Sequence, residues 1–417
     1  MAETVVSVDE FRAEARAWLV EHVEPIGDKR TKPRGVDHRT VEQMTVERAR
    51  QRALYEAGFA AITWPEEYGG RGLSREHEVA FLEEAAGYRM PDLGVVGGTT
   101  LGVCANTMLR HASPDFLRRH GPQIFAGAEL WCQLFSEPGA GSDLAGITTR
   151  ATRDGDRWVL TGSKIWSSGA VYADYGMCLA RTNWDVPKHR GLTWFAVKLD
   201  QPGVEIQPIR EINGDTEFCQ EFLDDVELTD DDVIGEVDQG WSVAQTMLVF
   251  ERGAGTPGSA VVAAPTPGLA PDLVALAQRV GRENDPVVRQ LIARAHINAY
   301  VHGQLARRIA QHLRIDPAGA AGIASYGKLA AGTFLPIRAR IGMRIGGPAA
   351  LIWDDQDLEQ QRPSLDFLNS RIMSIAGGTN EMQRNAIGER VLGLPREPSF
   401  DTKKSFREVL RAAADWK

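Results

Sequence analysis

The chain has 417 residues, 43% hydrophobic and 25% charged, enough for roughly two to three globular domains of ~150 residues each. Its 47 Lys and Arg face 56 Asp and Glu, a formal charge of -9, so it lacks the basic face with which a nucleic-acid scaffold neutralises phosphates. No apolar run reaches the roughly 18–20 residues of a membrane-crossing helix, and Glu3, Asp9, Glu10 and Glu14 predict neither a secretory nor a transit leader. Cys104, Cys132, Cys178 and Cys219 form no C-x-x-C pair and read as reduced thiols of a cytoplasmic protein.

The first stretch reads helical. Ser7 and Glu10 form a capping box ahead of Phe11, Ala15, Trp18, Leu19 and His22, which recur at helical spacing. Residues 41–57 are a second periodic segment, stopped at Gly58. The Pro and Gly of residues 64–70 predict a loop, and Ser74 caps a further helix to about Ala86. From Glu129 the texture changes. Residues 130–135, 157–166, 176–181, 192–198 and 218–228 are short runs rich in Val, Ile, Trp, Phe and Thr, separated by turns such as Asp154-Gly155-Asp156. With no helical pattern between them, they predict an antiparallel sheet. Helical period returns at Trp241, with segments 286–313, 319–344 and 380–392, the last followed by Gly393 and Pro395. The Gly/Pro-rich residues 253–271 predict a surface loop. The expected fold is α+β: an N-terminal helical domain (1–128), a middle antiparallel β-barrel or sandwich domain (129–240) and a C-terminal helical bundle (241–417).

Gly253, Gly255 and Gly258 satisfy G-x-G-x-x-G, but Pro257 removes an amide that would face phosphate, and Pro265 and Pro267 forbid the helix the motif must open. No two histidines stand at i, i+4 spacing, so no metal centre is expected. Residues 136–143, Ser-Glu-Pro-Gly-Ala-Gly-Ser-Asp, carry more information. Their glycines let backbone amides approach a ligand, and Ser136 and Ser142 add hydroxyls; alone, the segment reads equally well as a turn. The next hairpin presents Trp166 and Ser168, an indole for the face of a flat aromatic ligand and a hydroxyl for its edge, although a single Trp is more often core. Gly377, Gly378 and Thr379 open a helix whose free amides suit anionic or polar ligand atoms.

These three segments, in this order and at these separations, resemble the acyl-CoA dehydrogenase family over nearly the whole chain. The resemblance implies FAD as cofactor, an acyl-CoA substrate and an electron-transfer flavoprotein as acceptor. It implies that the backbone at Leu134 and Phe135 and the Ser136 hydroxyl face the flavin ring, that Trp166 walls the ring, and that Ser168 hydrogen-bonds near its N5. Gly141 and Ser142 match residues beside the thioester arm, and Arg279 an arginine that meets FAD phosphate from a neighbouring subunit. Gly378, Thr379 and Glu381 match the loop at the adenylate, and Gly346 and Gly347 the glycine pair of the adenosine-binding segment. Two departures stand out. Arg282 and Glu283 replace the family's Phe-Gly, and Met343 replaces its Gln, so a partner chain is expected to complete that end. The implied assembly is a homotetramer, or a heterotetramer with a related chain.

The implied reaction is α,β-desaturation of an acyl thioester in fatty-acid or sterol side-chain β-oxidation. A carboxylate takes the Cα proton while hydride leaves Cβ for the flavin, so the base must face the ring across the substrate. Many members carry this Glu immediately before the C-terminal Gly-Thr, where this chain has Gly377. Other branches hold it on an earlier helix just before an arginine, where this chain has Glu251 and Arg252. The resemblance therefore implies Glu251 as base and Arg252 as a partner for CoA; a solvated Glu–Arg surface pair is the ordinary reading of such a dipeptide. Gly377 also leaves room for a branched or polycyclic acyl chain. The competing readings are a non-catalytic or half-site subunit of a heteromer and a flavin oxidase or monooxygenase on the same fold.

Overall fold

The computed structural model describes residues 6–26, 39–251, 270–315, 320–354, 357–396, 398–399 and 401–414. Its first part is helical: α1 (Val8–His22), α2 (Val41–Glu56), α3 (Arg75–Ala85), α4 (Gly94–Gly98), α5 (Ala105–His111) and α6 (Pro114–Phe125). The capping box closes as expected. Ser7 Oγ accepts from Glu10 N at 3.3 Å, and Ser7 N donates to Glu10 Oε2 at 2.9 Å, which satisfies two otherwise orphaned donors. Phe11, Ala15 and Leu19 then bury one helical face against Phe59 and Phe81. Ser74 behaves differently from expectation: it precedes α3, but its hydroxyl meets His77 Nδ1 at 2.9 Å instead of a backbone amide. α4 and α5 are joined by a π-helical segment, Thr99–Cys104, which the glycine-rich sequence did not announce.

The middle part holds β1 (Trp131–Leu134), β2 (Arg150–Asp154), β3 (Arg157–Ser168), β4 (Tyr175–Arg181), β5 (Leu192–Lys198), β6 (Val204–Pro208), β7 (Phe218–Leu228) and β8 (Val233–Ile234). They form one sheet in the order β6-β7-β3-β2-β4-β5-β8, with β1 beside β4. The expectation of a purely antiparallel sheet is corrected at β1, which runs parallel to β4 from Trp131↔Tyr175 to Leu134↔Cys178. The β2–β3 hairpin lies between these strands in sequence and supplies the long crossover that a parallel pair requires. β2 and β6 escaped the sequence pattern because most of their residues are exposed or half-exposed and polar, leaving no apolar run to detect. Strand alternation sorts the core into two. Cys132, Leu134, Leu160, Cys178, Phe195 and Leu223 pack on one another inside the sheet's curl. Trp131, Met177 and Trp194, on the other face, pack with Met108, Phe116 and Met247 of the flanking helices.

The last part contains α7 (Gly240–Glu251), α8 (Pro271–Arg279), α9 (Pro286–Ile315), α10 (Ala320–Gly346), α11 (Leu358–Asn369), α12 (Ile372–Ile375), α13 (Asn380–Arg390) and α14 (Phe406–Ala414). Pro271 opens α8, where its missing N–H costs nothing. Arg252, the G-x-G-x-x-G glycines and the loop expected over 253–271 lie outside the described residues as far as 269. The chain is thus α+β, with a helical N-terminal part, a β-sheet middle and a helical C-terminal part. Among the described residues no helix is long and apolar enough to cross a membrane.

Candidate active site

The site begins at the end of β1. Gln133 and Phe135 alternate with Leu134, so they face the helices while Leu134 is fully buried in the sheet's interior; Leu134 can reach a ligand only through its backbone. Beyond β1 the chain turns at Glu137, whose carboxylate gathers the returning loop. It accepts from Thr148 N at 2.6 Å and from Thr149 N and Lys164 Nζ, both at 2.9 Å. Burial pushes Glu137 upward, but the Lys164 ammonium and these donors outweigh it and hold the carboxyl below its ordinary value. Lys164 Nζ also donates to Phe135 O at 3.1 Å, and Ile165 N to Ser136 O at 2.9 Å. Ser136 is thereby fixed between β1 and β3. Gly141 and Ser142 lie exposed on the loop, and a Cβ placed on Gly141 would meet nothing within 4 Å. The loop's far side is held by the C-terminus. Lys188 Nζ bridges Asp143 Oδ1 (2.9 Å) and Asp401 Oδ2 (2.6 Å), while the buried Arg181 guanidinium donates to Ala145 O and Ile147 O under the Phe406 ring, 3.9 Å from its centroid.

On β3 the ladder to β7 slips by one residue between Ile165↔Gln220 and Ser167↔Cys219. Trp166 is the extra residue of this bulge, at φ 68, and its indole is 56% exposed. Bulges of this kind re-aim a side chain and increase local twist. Trp166 contacts Phe218 edge-on at 5.9 Å, and Ser168 follows at the strand's end, opposite Phe218. Gln133 Nε2 is buried without a hydrogen-bond partner. An open indole, nearby hydroxyls at Ser136 and Ser168, and an unpartnered amide donor fit a planar heteroaromatic ring with acceptors on its edge. Sequence reasoning missed Gln133; its signal was a polar residue on the helix-facing side of an apolar strand.

Glu251 comes from the other side. α7 buries Val243, Ala244 and Met247 in the helix-facing core, Trp194 Nε1 donates to Gly240 O at 2.8 Å, and Thr246 Oγ1 meets His111 Nε2 at 2.8 Å. Glu251 ends this helix beside the Gly377–Gly378 turn. The carboxylate Oε1 lies 3.4 Å from the point where a Cβ on Gly377 would sit, and Lys328 Cε lies 3.3 Å from the same point. The turn is pinned to α10 and α13: Gln383 Nε2 donates to Gly377 O (3.2 Å) and Gly378 O (3.1 Å), and Lys328 Nζ to Met373 O. Thr379 caps α13, accepting from Met382 N at 3.2 Å, while Glu381 is exposed and pairs with Arg384 at 3.1 Å. No sequence signal marked Lys328, which reaches the turn from mid-α10.

The remaining candidates form a separate group. Arg279 is exposed at the end of α8, on a cavity of about 110 Å³ shared with Arg338 and Arg362. Arg282 has a structural role there: its Nη1 donates to Arg344 O (3.0 Å) and Ile345 O (2.9 Å), capping α10, and its Nη2 meets Asp285 at 2.9 Å. The same Nη1 stands 3.5 Å from the position a Gly347 Cβ would take. The departure at Arg282 therefore sits beside Gly347, while the departure at Met343 lies on α10, about one turn before Gly346.

Residues 7–128, 132–226 and 238–392 match the models of the acyl-CoA dehydrogenase N-terminal, middle and C-terminal domains. The acyl-CoA dehydrogenase IpdE1 of Mycobacterium tuberculosis is 38% identical over 94% of this chain and 98% of its own length. Among solved structures, the Tcur3481-Tcur3483 steroid ACAD matches with a TM-score of 0.70 at 26% identity, over 94% of this chain and 98% of that one. The ChsE4-ChsE5 complex from M. tuberculosis matches with a TM-score of 0.69 at 27% identity, over 95% and 100%. This chain is an oxidoreductase fold of helical, sheet and helical parts, and it belongs to the acyl-CoA dehydrogenase family.

Proposed function

We propose that this chain is an FAD-dependent acyl-CoA dehydrogenase in which Glu251 removes the substrate's Cα proton. One observation carries the reading. The family places its base either on the earlier helix or before the Gly-Thr turn, and here those two positions converge on one point: Glu251 Oε1 is 3.4 Å from the missing Gly377 Cβ. A chain that had simply lost the second base would have no reason to bring a carboxylate back to it.

Flavin bound at the Trp166 face would accept the hydride that leaves Cβ. The protein's own groups do the rest. Ser136 faces the flavin ring, and Gly141 and Ser142 guide the thioester arm along the loop that Glu137 and Lys188 hold. Glu251 is the group placed to take the Cα proton, with the Lys328 side chain beside the same Gly377 position. Arg252 and Arg279 are proposed to meet the phosphates of CoA and FAD, and Gly378, Thr379 and Glu381 the adenylate.

The acyl group is proposed to be bulky and alicyclic, such as a steroid-derived side chain or ring fragment. Likeness to a protein titled a steroid ACAD supports this; the room expected at Gly377 is taken by Glu251 and Lys328, which a Cβ there would meet at 3.4 and 3.3 Å. A related chain is proposed to complete the assembly, because Arg282 fills the approach to Gly347 and the solved relatives are two-chain complexes. An electron-transfer flavoprotein is the proposed acceptor, in the cytoplasm. The test is to purify the chain alone and with candidate related chains, record the flavin spectrum, and titrate anaerobically with an acyl-CoA panel. Bleaching by a bulky acyl-CoA supports the reading. Flavin that binds but is never bleached while Glu251 is intact would favour the half-site subunit.

A further inference from the structure

Inside the β domain lies a polar group that the reaction does not use. Glu221 on β7 is fully buried, and its Oε1 has no hydrogen-bond partner. Its Oε2 accepts from Ser167 Oγ at 2.9 Å, and Ser167 is itself buried. Ser167 immediately follows Trp166.

The bulge explains why this contact exists. In an unbroken ladder, side chains alternate, so Trp166 would share the inward face with Lys164. Lys164 pairs with Glu221 across the ladder, and both point inward. The slip at Trp166 inserts one residue, so the next inward side chain is Ser167, opposite Cys219 on Glu221's own face. The burial pattern records the shift: Lys164 buried, Ile165 half-buried, Trp166 exposed, Ser167 buried. Turning Ser167 inward and turning Trp166 outward are one event. The outward state holds a bulky residue at φ 68, a left-handed conformation costly for any side chain with a Cβ, so it needs a fastening.

We propose that Glu221 is a positioning residue: by accepting the Ser167 hydrogen bond inside the β domain, it latches the bulge that presents Trp166 to the flavin. This rests on the proposed placement of flavin against Trp166. The neutral carboxyl is the working form. Burial pushes Glu221 up to about 8, and the groups facing it are the Lys164 ammonium on β3 and the thiols of Cys132 on β1, Cys178 on β4 and Cys219 on β7. All three thiols are held protonated by burial. Lys164 is engaged by Glu137 and Phe135 O, so an ionised Glu221 would have little compensation in that core.

The experiment uses the full chain labelled with 5-fluorotryptophan, with the Trp166 ¹⁹F signal identified by its loss in Trp166→Phe. Spectra are recorded with and without flavin, alongside flavin retention on dilution. Ser167→Ala removes the latch with little change of volume. It should move or broaden the Trp166 signal and weaken flavin retention by about fivefold, the loss of one buried hydrogen bond of ~1 kcal/mol. Glu221→Gln keeps a neutral acceptor and should leave the signal in place. Wild type should shift between pH 7 and 9, and Glu221→Gln should not. An unmoved Trp166 signal in folded Ser167→Ala, or an identical pH response in Glu221→Gln, overturns the latch. If Ser167→Ala moves the signal but Trp166→Ala retains flavin as wild type does, the latch stands and the flavin placement falls.

Discussion

The base assignment can be pressed hardest by moving the carboxylate. Glu251→Gln keeps shape and removes basicity, and general-base catalysis contributes ~10²–10⁴ in rate. Anaerobic stopped-flow bleaching by an acyl-CoA should therefore slow by at least about a hundredfold, with flavin content unchanged. Adding Gly377→Glu returns a carboxylate to this turn on a side chain whose Cβ would stand 3.4 Å from the Glu251 Oε1 position. The structure sets an upper bound on that rescue. Gly377 has φ +65, and a Cβ there would press on Lys328 Cε at 3.3 Å. A left-handed residue with a side chain costs about 1–2 kcal/mol, and 1.36 kcal/mol is tenfold in rate. The double variant should thus bleach faster than Glu251→Gln yet remain about tenfold below wild type. Undiminished bleaching in Glu251→Gln would refute the assignment outright. A folded, flavin-loaded double variant no faster than the single one would refute the claim that both positions serve one point.

Lys164→Met strands the buried Glu137 carboxylate, so urea unfolding should show a loss of about 3–5 kcal/mol, the usual cost of breaking a buried pair from one side. Arg282→Ala uncaps α10 and should lower the melting temperature by about 1 °C, for about 1 kcal/mol at a half-exposed site; binding of the partner chain should tighten or stay equal, and a weakened partner complex would show that Arg282 belongs to the interface. Phe406→Ala should make residues 401–414 susceptible to limited proteolysis and raise KM for acyl-CoA, with flavin content intact. Because Glu221 is raised above its unfolded value, its contribution to stability is full below about pH 4.5 and lost as pH climbs through about 8. Chemical denaturation of Glu221→Gln should accordingly vary less than wild type between pH 5 and 9.

Much of this was legible because local chemistry and tertiary role coincide. The Ser7–Glu10 box, the apolar strands 192–198 and 218–228 and the Thr379 cap are short-range patterns, and each appears as an element or a cap. Trp166 and Ser168 could be named from the family likeness, but the register slip that turns the indole outward could not, since alternation alone puts position 166 beside buried Lys164. The parallel pairing of β1 with β4 was hidden for a related reason: it depends on the β2–β3 excursion, and β2 carries almost no apolar signal. Lys328 and Arg282 were invisible as partners because their contacts join segments dozens of residues apart; Lys328 reaches Met373, and Arg282 reaches Ile345.

The strap at the C-terminus has a bearing on how the chain is made. Arg407 pairs with Asp185 across 222 residues of sequence, and Phe406 covers the Arg181 guanidinium. At ~5–20 residues per second of synthesis, the sheet emerges on the order of ten to forty seconds before its last covering segment does. During that interval Arg181 has Trp184 but lacks the Phe406 ring, and Lys188 has Asp143 but lacks Asp401. That edge of the sheet therefore gains its cover only after residues 401–414 have been made and have docked.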